Sequence, residues 1–213
     1  MKYDAIFFDF DGVIVDSVHI KTQMFYDMYL QYGEEIAQKA KQHHIENGGI
    51  SRFEKFKFYH KFYLGQKLDE AGVKQMAQEF SSRVKNAVIE SQIVTGVIEV
   101  LEELYKSKDL FIITGTPTDE IEEIVEKRGW TKYFKEILGS PTNKDTWSKY
   151  LLDKYNYVPQ KVLFIGDATT DHEAAKLNDF DFALRTHHEN EPLFKNENVY
   201  RFSDFTEFKL EDI

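Results

Sequence analysis

The sequence predicts an α/β fold: a parallel sheet with helices on both faces, interrupted after its first strand by an all-helical insertion. Three observations predict it. An apolar run of strand length, Ala5-Ile6-Phe7-Phe8, lies near the start of the chain. After Ser17 a long stretch shows helical spacing of apolar and aromatic residues and no convincing strand. From Gly96 onward, short apolar runs alternate with helical segments, and strands separated by helices of that length imply βαβ units and a parallel sheet.

In the insertion, Ile20, Phe25, Met28, Tyr29 and Tyr32 mark a first helix that Gly33 can end. A second helix is expected over residues 34–44, broken by Asn47-Gly48-Gly49. Phe53, Phe56, Tyr59 and Tyr63 mark a third before Gly65, and helical spacing resumes over 68–93. The aromatic stripe reads as the packed core of this insertion. Beyond it, helices are expected over 97–105, 119–128, 144–155 and 171–177. Strands are expected over 110–113, 133–138, 161–165, 180–184 and 199–202. The expected division is a core of residues 1–15 and 94–213 and a helical cap of residues 16–93. In such sheets, ligands bind beyond the carboxyl ends of the strands.

Composition narrows the function classes. The net charge of −10 and the lack of a basic cluster argue against a nucleic-acid surface, where Lys and Arg would have to neutralise phosphates. With no Cys among 213 residues, disulfides, thiolate metal sites and a Cys nucleophile are all excluded. No stretch approaches the about 18 apolar residues of a membrane span. Asp9 and Asp11 interrupt the only early apolar run, so no signal-peptide pattern is expected and the expected location is cytoplasmic.

Four expected strand ends carry polar residues. The first is Asp9-Phe10-Asp11-Gly12, where two carboxylates one residue apart would point to the same side of an extended backbone. They form a candidate metal or acid/base pair; capping of the strand by turn hydrogen bonds is the alternative. The second is Thr114-Gly115-Thr116, which can offer a hydroxyl and backbone N–H groups to an anionic oxygen, or can mark an ordinary turn. The third is Lys144, a cation at a helix start, where the macrodipole disfavours it unless an anion is near; a solvent-facing Lys is the alternative. The fourth is Gly166-Asp167 with Asp171 at the next helix start. Carboxylates so placed suit a hard divalent cation such as Mg²⁺, although Asp171 could equally be a helix N-cap. Two unit charges about 4 Å apart repel by about 4 kcal/mol at an effective dielectric near 20, so the gathered carboxylates call for a metal ion and Lys144.

In this order, and with the flanks Val15-Asp16-Ser17 and Ala174-Ala175, the motifs resemble the haloacid dehalogenase superfamily, specifically its members with a helical cap inserted after the first strand. The resemblance spans nearly the whole chain. It implies a Rossmann-like core and a Mg²⁺-dependent phosphatase acting on a small phosphorylated metabolite. Asp9 would be the nucleophile that becomes an aspartyl phosphate, and Asp11 the general acid and base. Mg²⁺ would be held by Asp9, the backbone carbonyl of Asp11 and Asp167, with Asp171 in support. Thr114, Gly115 and neighbouring N–H groups would bind phosphoryl oxygens, and Lys144 would offset charge on Asp9 and the phosphate. Dehalogenase members lack a carboxylate at the position of Asp11, which favours phosphatase chemistry.

Gly49-Ile50-Ser51-Arg52 resembles the cap loop of the β-phosphoglucomutase-like branch, where an Arg contacts a second anion. Arg52 is therefore a candidate substrate contact, or a solvated Arg after an N-cap Ser51. A phosphomutase is the alternative function within the family, and a catalytically idle binding protein the alternative outside its chemistry. Two positions depart from the family pattern: Lys21, where a His is common, and Asn178, where a small pair is usual. His172, beside Asp171, is expected to point to solvent.

Overall fold

Strand β1 (Ala5–Phe8) has every residue buried, as its unbroken apolar sequence requires of a strand covered on both faces. In the computed structural model, which describes residues 2–209, the four helices of the insertion follow. They are α1 (Val18–Tyr29), α2 (Glu34–Glu46), α3 (Arg52–Tyr63) and α4 (Glu70–Glu90). The rest alternates: α5 (Val97–Leu104), β2 (Asp109–Pro117), α6 (Thr118–Lys127), β3 (Glu136–Ser140), α7 (Lys144–Tyr155), β4 (Val162–Gly166), α8 (Thr169–Leu177), β5 (Asp181–Arg185) and β6 (Tyr200–Phe202). The expected core bounds at 1 and 210–213 lie outside the described residues.

The strands form one parallel sheet in the order β3-β2-β1-β4-β5-β6. Alternate residues of each strand serve opposite faces, as a period of two dictates. Ile6, Phe8, Ile112 and Ile165 join one apolar cluster with Val97 and Leu101 of α5 and Ile121 and Ile124 of α6. Ala5, Phe7, Phe111 and Phe164 join the other, with Leu151 of α7 and Ala174 and Ala175 of α8. This is the expected Rossmann-like architecture with its helical insertion.

The aromatic stripe packs within the insertion. Phe25 meets Phe80 at 4.7 Å between ring centroids and Tyr59 edge-on at 5.8 Å. Offset and edge-to-face contacts of this kind add to the burial of the rings. After α1 the chain tightens into a short 3-10 turn and leaves at Gly33, whose φ of 101° lies in the left-handed region.

Element ends differ most from expectation in three places. Helix α4 stops at Glu90, and Ile93 instead pairs with Val15 in an isolated antiparallel bridge that joins the two chain crossings between insertion and sheet. The region of residues 133–138 begins as a 3-10 turn over Thr131–Tyr133, and β3 starts only where it can pair with β2. Strand β2 continues past Ile113 to Pro117 through a register shift, which carries Thr114 and Thr116 along the sheet edge.

Candidate active site

Register decides which residues meet. Phe8 pairs with Ile112 on one side and Ile165 on the other, so the carboxyl ends of β1, β2 and β4 lie level, and Asp9, Thr114 and Asp167 follow at the same edge. The strand does not run extended through to Asp11. Asp9 keeps the ladder by donating its N–H to the Ile165 carbonyl, then accepts the Phe10 N–H on its own Oδ1 at 2.7 Å, and the chain turns. Phe10 still joins the same apolar cluster as Phe8, and both carboxylates line one cavity. Gly12 sits in this turn at φ 80°, and a Cβ there would lie 2.1 Å from Asp167 Oδ2. Only Gly allows the approach.

Asp9, Asp167 and Asp171 are buried and bring carboxylate oxygens within 4.8 Å of one another. Lys144, the first residue of α7 and equally buried, places Nζ 2.8 Å from Asp9 Oδ2 and 2.5 Å from Asp171 Oδ1. The solvent-facing alternative for Lys144 does not hold. Asp171 is the third residue of α8 rather than its N-cap, and its Oδ2 accepts the N–H groups of Asp167 and Ala168. Burial pushes the Asp9 carboxyl well above the usual range; Lys144 opposes this, and Asp171, Asp167 and Asp11 add to it. Burial lowers the Lys144 ammonium, but Asp171 and Asp9 outweigh it and raise it overall. Three buried carboxylates against one ammonium leave an excess of negative charge on hard oxygen donors, which fits a Mg²⁺ ion.

Asp11 faces a different set. Its Oδ1 accepts from Ser17 Oγ at 2.5 Å, and its Oδ2 accepts from Thr116 Oγ1 at 2.9 Å and from Lys21 Nζ. Burial alone would raise this carboxyl, yet Lys21 beside it and these hydrogen bonds bring it below its ordinary value. Lys21, noted in the sequence only as a departure from the family pattern, is thus a direct partner of Asp11 and also reaches Thr116 at 2.6 Å. Thr114 is buried, with its Oγ1 accepting the Thr116 N–H at 3.3 Å, and Gly115 adds backbone to the cavity wall.

The insertion closes the other side. A Cβ on Gly49 would lie 1.7 Å from Thr170 Oγ1, so the loop between α2 and α3 rests directly on the N-terminal end of α8. Between them lies a cavity of about 60 Å³, lined by Asp9, Asp11, Lys21, Lys55, Thr114 and Asp167 among others. Arg52 also lines it, but it is neither solvated nor free. Both its terminal nitrogens bond Glu120 of α6 at 2.8 Å, and Nη1 also reaches Ser81 of α4 at 2.6 Å. Ser51 does cap α3, accepting the Glu54 N–H.

The Arg52–Glu120 pair ties insertion to core. Burial would raise the Glu120 carboxyl, but Arg52 holds it below its ordinary value. A carboxyl depressed on folding stabilises fully above its unfolded value and loses that contribution as pH falls through its folded value. Glu120→Gln is expected to destabilise by about 3 kcal/mol near pH 7 because a buried guanidinium is left half-paired. Thermal melts should show this gap narrowing as pH falls below the ordinary value of 4.5. An unchanged melting temperature at pH 7 would remove the pair as a tie.

Two further residues escaped the sequence reading. His187, after β5, places Nε2 2.9 Å from Asp167 Oδ2, and Asn190 donates to the Asp167 carbonyl at 2.8 Å. The only signal for them was their place beyond a strand end on the same sheet edge. His172 corrects the expectation that it points to solvent: α8 lays this half-buried ring 5.1 Å from Phe182 and 6.0 Å from Phe194. Among the described residues no helix is long and apolar enough to cross a membrane.

A phosphoglycolate phosphatase of Haemophilus influenzae is 29% identical over 189 residues, covering 82% of this chain and 81% of the relative. A 5'-nucleotidase of Pseudomonas aeruginosa is 24% identical over 185 residues, covering 84% of this chain and 80% of the relative. The crystal structure of a β-phosphoglucomutase from Clostridium difficile shares the fold with a TM-score of 0.78 at 20% identity, over 99% of this chain and 95% of that one. Residues 6–184 match the family described as haloacid dehalogenase-like hydrolase, which spans the strand ends, the insertion and the site together, and the chain belongs to that family.

Proposed function

We propose that this protein is a Mg²⁺-dependent phosphatase that hydrolyses a small phosphorylated metabolite through an aspartyl phosphate on Asp9. The observation that carries this reading is the Asp9 carboxylate, held 2.8 Å from Lys144 at the wall of a cavity that it shares with Asp11. Asp9 attacks phosphorus, the P–O bond to the alcohol breaks, and the Asp11 carboxyl gives its proton to the departing oxygen. Water then attacks the phosphoryl group, Asp11 takes the water's proton, and Asp9 is released with inorganic phosphate. Ser17, Thr116 and Lys21 favour the ionised form of Asp11, which suits it to the second step. Thr114 and the Gly115 backbone hold phosphoryl oxygens, and Lys144 balances the charge of nucleophile and phosphate.

Asp9, Asp167 and the Asp11 backbone carbonyl would hold Mg²⁺, with Asp171 supporting from behind. When bound, the ion supplies positive charge against which an anionic nucleophile can approach an anionic ester. Chelation by EDTA is expected to abolish phosphate release and excess Mg²⁺ to restore it; full release in EDTA would overturn the metal dependence. A cytoplasmic setting, where charged phosphoesters are made and retained, belongs to the same reading.

The two relatives' names differ in substrate, so only phosphoester hydrolysis is carried over from them. A phosphomutase must keep a second phosphate bound while the first is passed on. A small cavity and an Arg52 already matched by Glu120 favour hydrolysis. The test is phosphate release from a panel of small phosphoesters by the wild type and by Asp9→Asn.

A further inference from the structure

Four cations line or adjoin the cavity, and three have carboxylate partners. Lys21 is on Asp11, Lys144 on Asp9 and Asp171, and Arg52 on Glu120. Lys55 of α3 has none within ion-pair distance among the described residues. Its side chain is fully buried, and its Nζ lies 2.6 Å from His44 Nδ1, 3.3 Å from the Gly48 carbonyl and 5.4 Å from the centre of the Phe25 ring. Burial pushes the Lys55 amine well below its ordinary value, and Lys21, Lys144 and Arg52 push it further. Burial, with Lys55 beside it, also lowers His44, so its ring is a neutral acceptor.

A buried amine without a counter-ion is costly to a fold, and a Met would fill a similar volume beside Phe25 without that cost. Groups that strain stability in this way are retained where a ligand uses them. Here the ligand space is the cavity itself, since Lys55 lines it together with Asp9 and Asp11. At about 60 Å³ the space is small, which favours a phosphoryl group carried on a short acid chain over a bulkier substrate.

We propose that Lys55, oriented by His44, binds a carboxylate of the substrate, so that the substrate is a phosphorylated acid of two or three carbons whose phosphoryl group lies at Asp9. This assignment rests on the phosphatase reading above. It shifts recognition of the second anion from Arg52, whose charge is already matched, to the cation that lacks a partner.

The test compares 2-phosphoglycolate with ethyl phosphate, which keeps the ester and lacks the carboxylate. In the full-length protein, Lys55→Met is expected to raise KM for 2-phosphoglycolate by about 30-fold or more with kcat changed by less than about threefold, and to leave ethyl phosphate kinetics within about threefold. Lys55→Arg should recover part of the loss. Lys55→Met should also melt no lower than the wild type. Equal losses on both substrates, no loss on 2-phosphoglycolate, or a lower melting temperature with the substrate preference kept would mark Lys55 as structural and overturn the assignment. If the wild type releases phosphate from neither compound nor from the wider panel of phosphoesters, the phosphatase reading fails on its own. Calorimetric titration of 2-phosphoglycolate then decides the subsite: binding weakened about tenfold or more in Lys55→Met supports it, and equal binding overturns it.

Discussion

Asp9→Asn is expected to lower phosphate release by about 10⁴-fold or more, the scale on which loss of a covalent nucleophile is felt. The amide has nearly the shape of the carboxylate and can still accept the Phe10 N–H, so the turn after β1 is kept. It cannot attack phosphorus at a useful rate. Stability should hold or rise, because burial and three neighbouring carboxylates disfavour the ionised Asp9 that the substitution removes. A variant that melts like the wild type but releases no phosphate would isolate the chemistry from the fold. Release at more than about a tenth of the wild-type rate would remove Asp9 as nucleophile, and with it the aspartyl phosphate.

Lys144→Met is expected to damage both stability and turnover. It leaves Asp9 and Asp171 facing one another in a buried site without their shared ammonium, and breaking a buried charge pair from one side destabilises by about 3–5 kcal/mol. For a chain of this length, that corresponds to a melting temperature lowered by roughly 6–20 °C. Turnover should fall by about 10²-fold or more because charge on the nucleophile and phosphate is no longer balanced. Added Mg²⁺ should raise the melting temperature of this variant more than that of the wild type, since the cation then offsets carboxylates that lack Lys144. A variant melting within 2 °C of the wild type would mean that the carboxylates are balanced by something other than Lys144.

Much of this arrangement was written in local sequence. The sheet was legible because buried parallel strands read as short apolar runs, and β1 and β4 are apolar at nearly every position. The insertion was legible because aromatic residues recur at helical spacing. Asp9, Asp11, Thr114, Lys144, Asp167 and Asp171 could be picked out because each stands at or just beyond a strand end or helix start. Parallel register then brings such positions to one edge, whatever the lengths of the connections between them.

The sequence by itself therefore determined the fold class, the order of elements and the set of residues delivered to the edge that carries the candidate site. Tertiary structure alone decided the partners. Lys21 with Thr116, Arg52 with Glu120 and His187 with Asp167 join residues far apart in the chain, and each pairing depends on how a helix or loop is rotated against the sheet. The lack of a carboxylate beside Lys55 is of the same kind. A lysine on a helix gives no sign in sequence of whether a carboxylate faces it, because the neighbours that would supply one come from other elements. Periodicity records which face of an element is buried, and only the packed chain shows which charges that burial leaves unmatched.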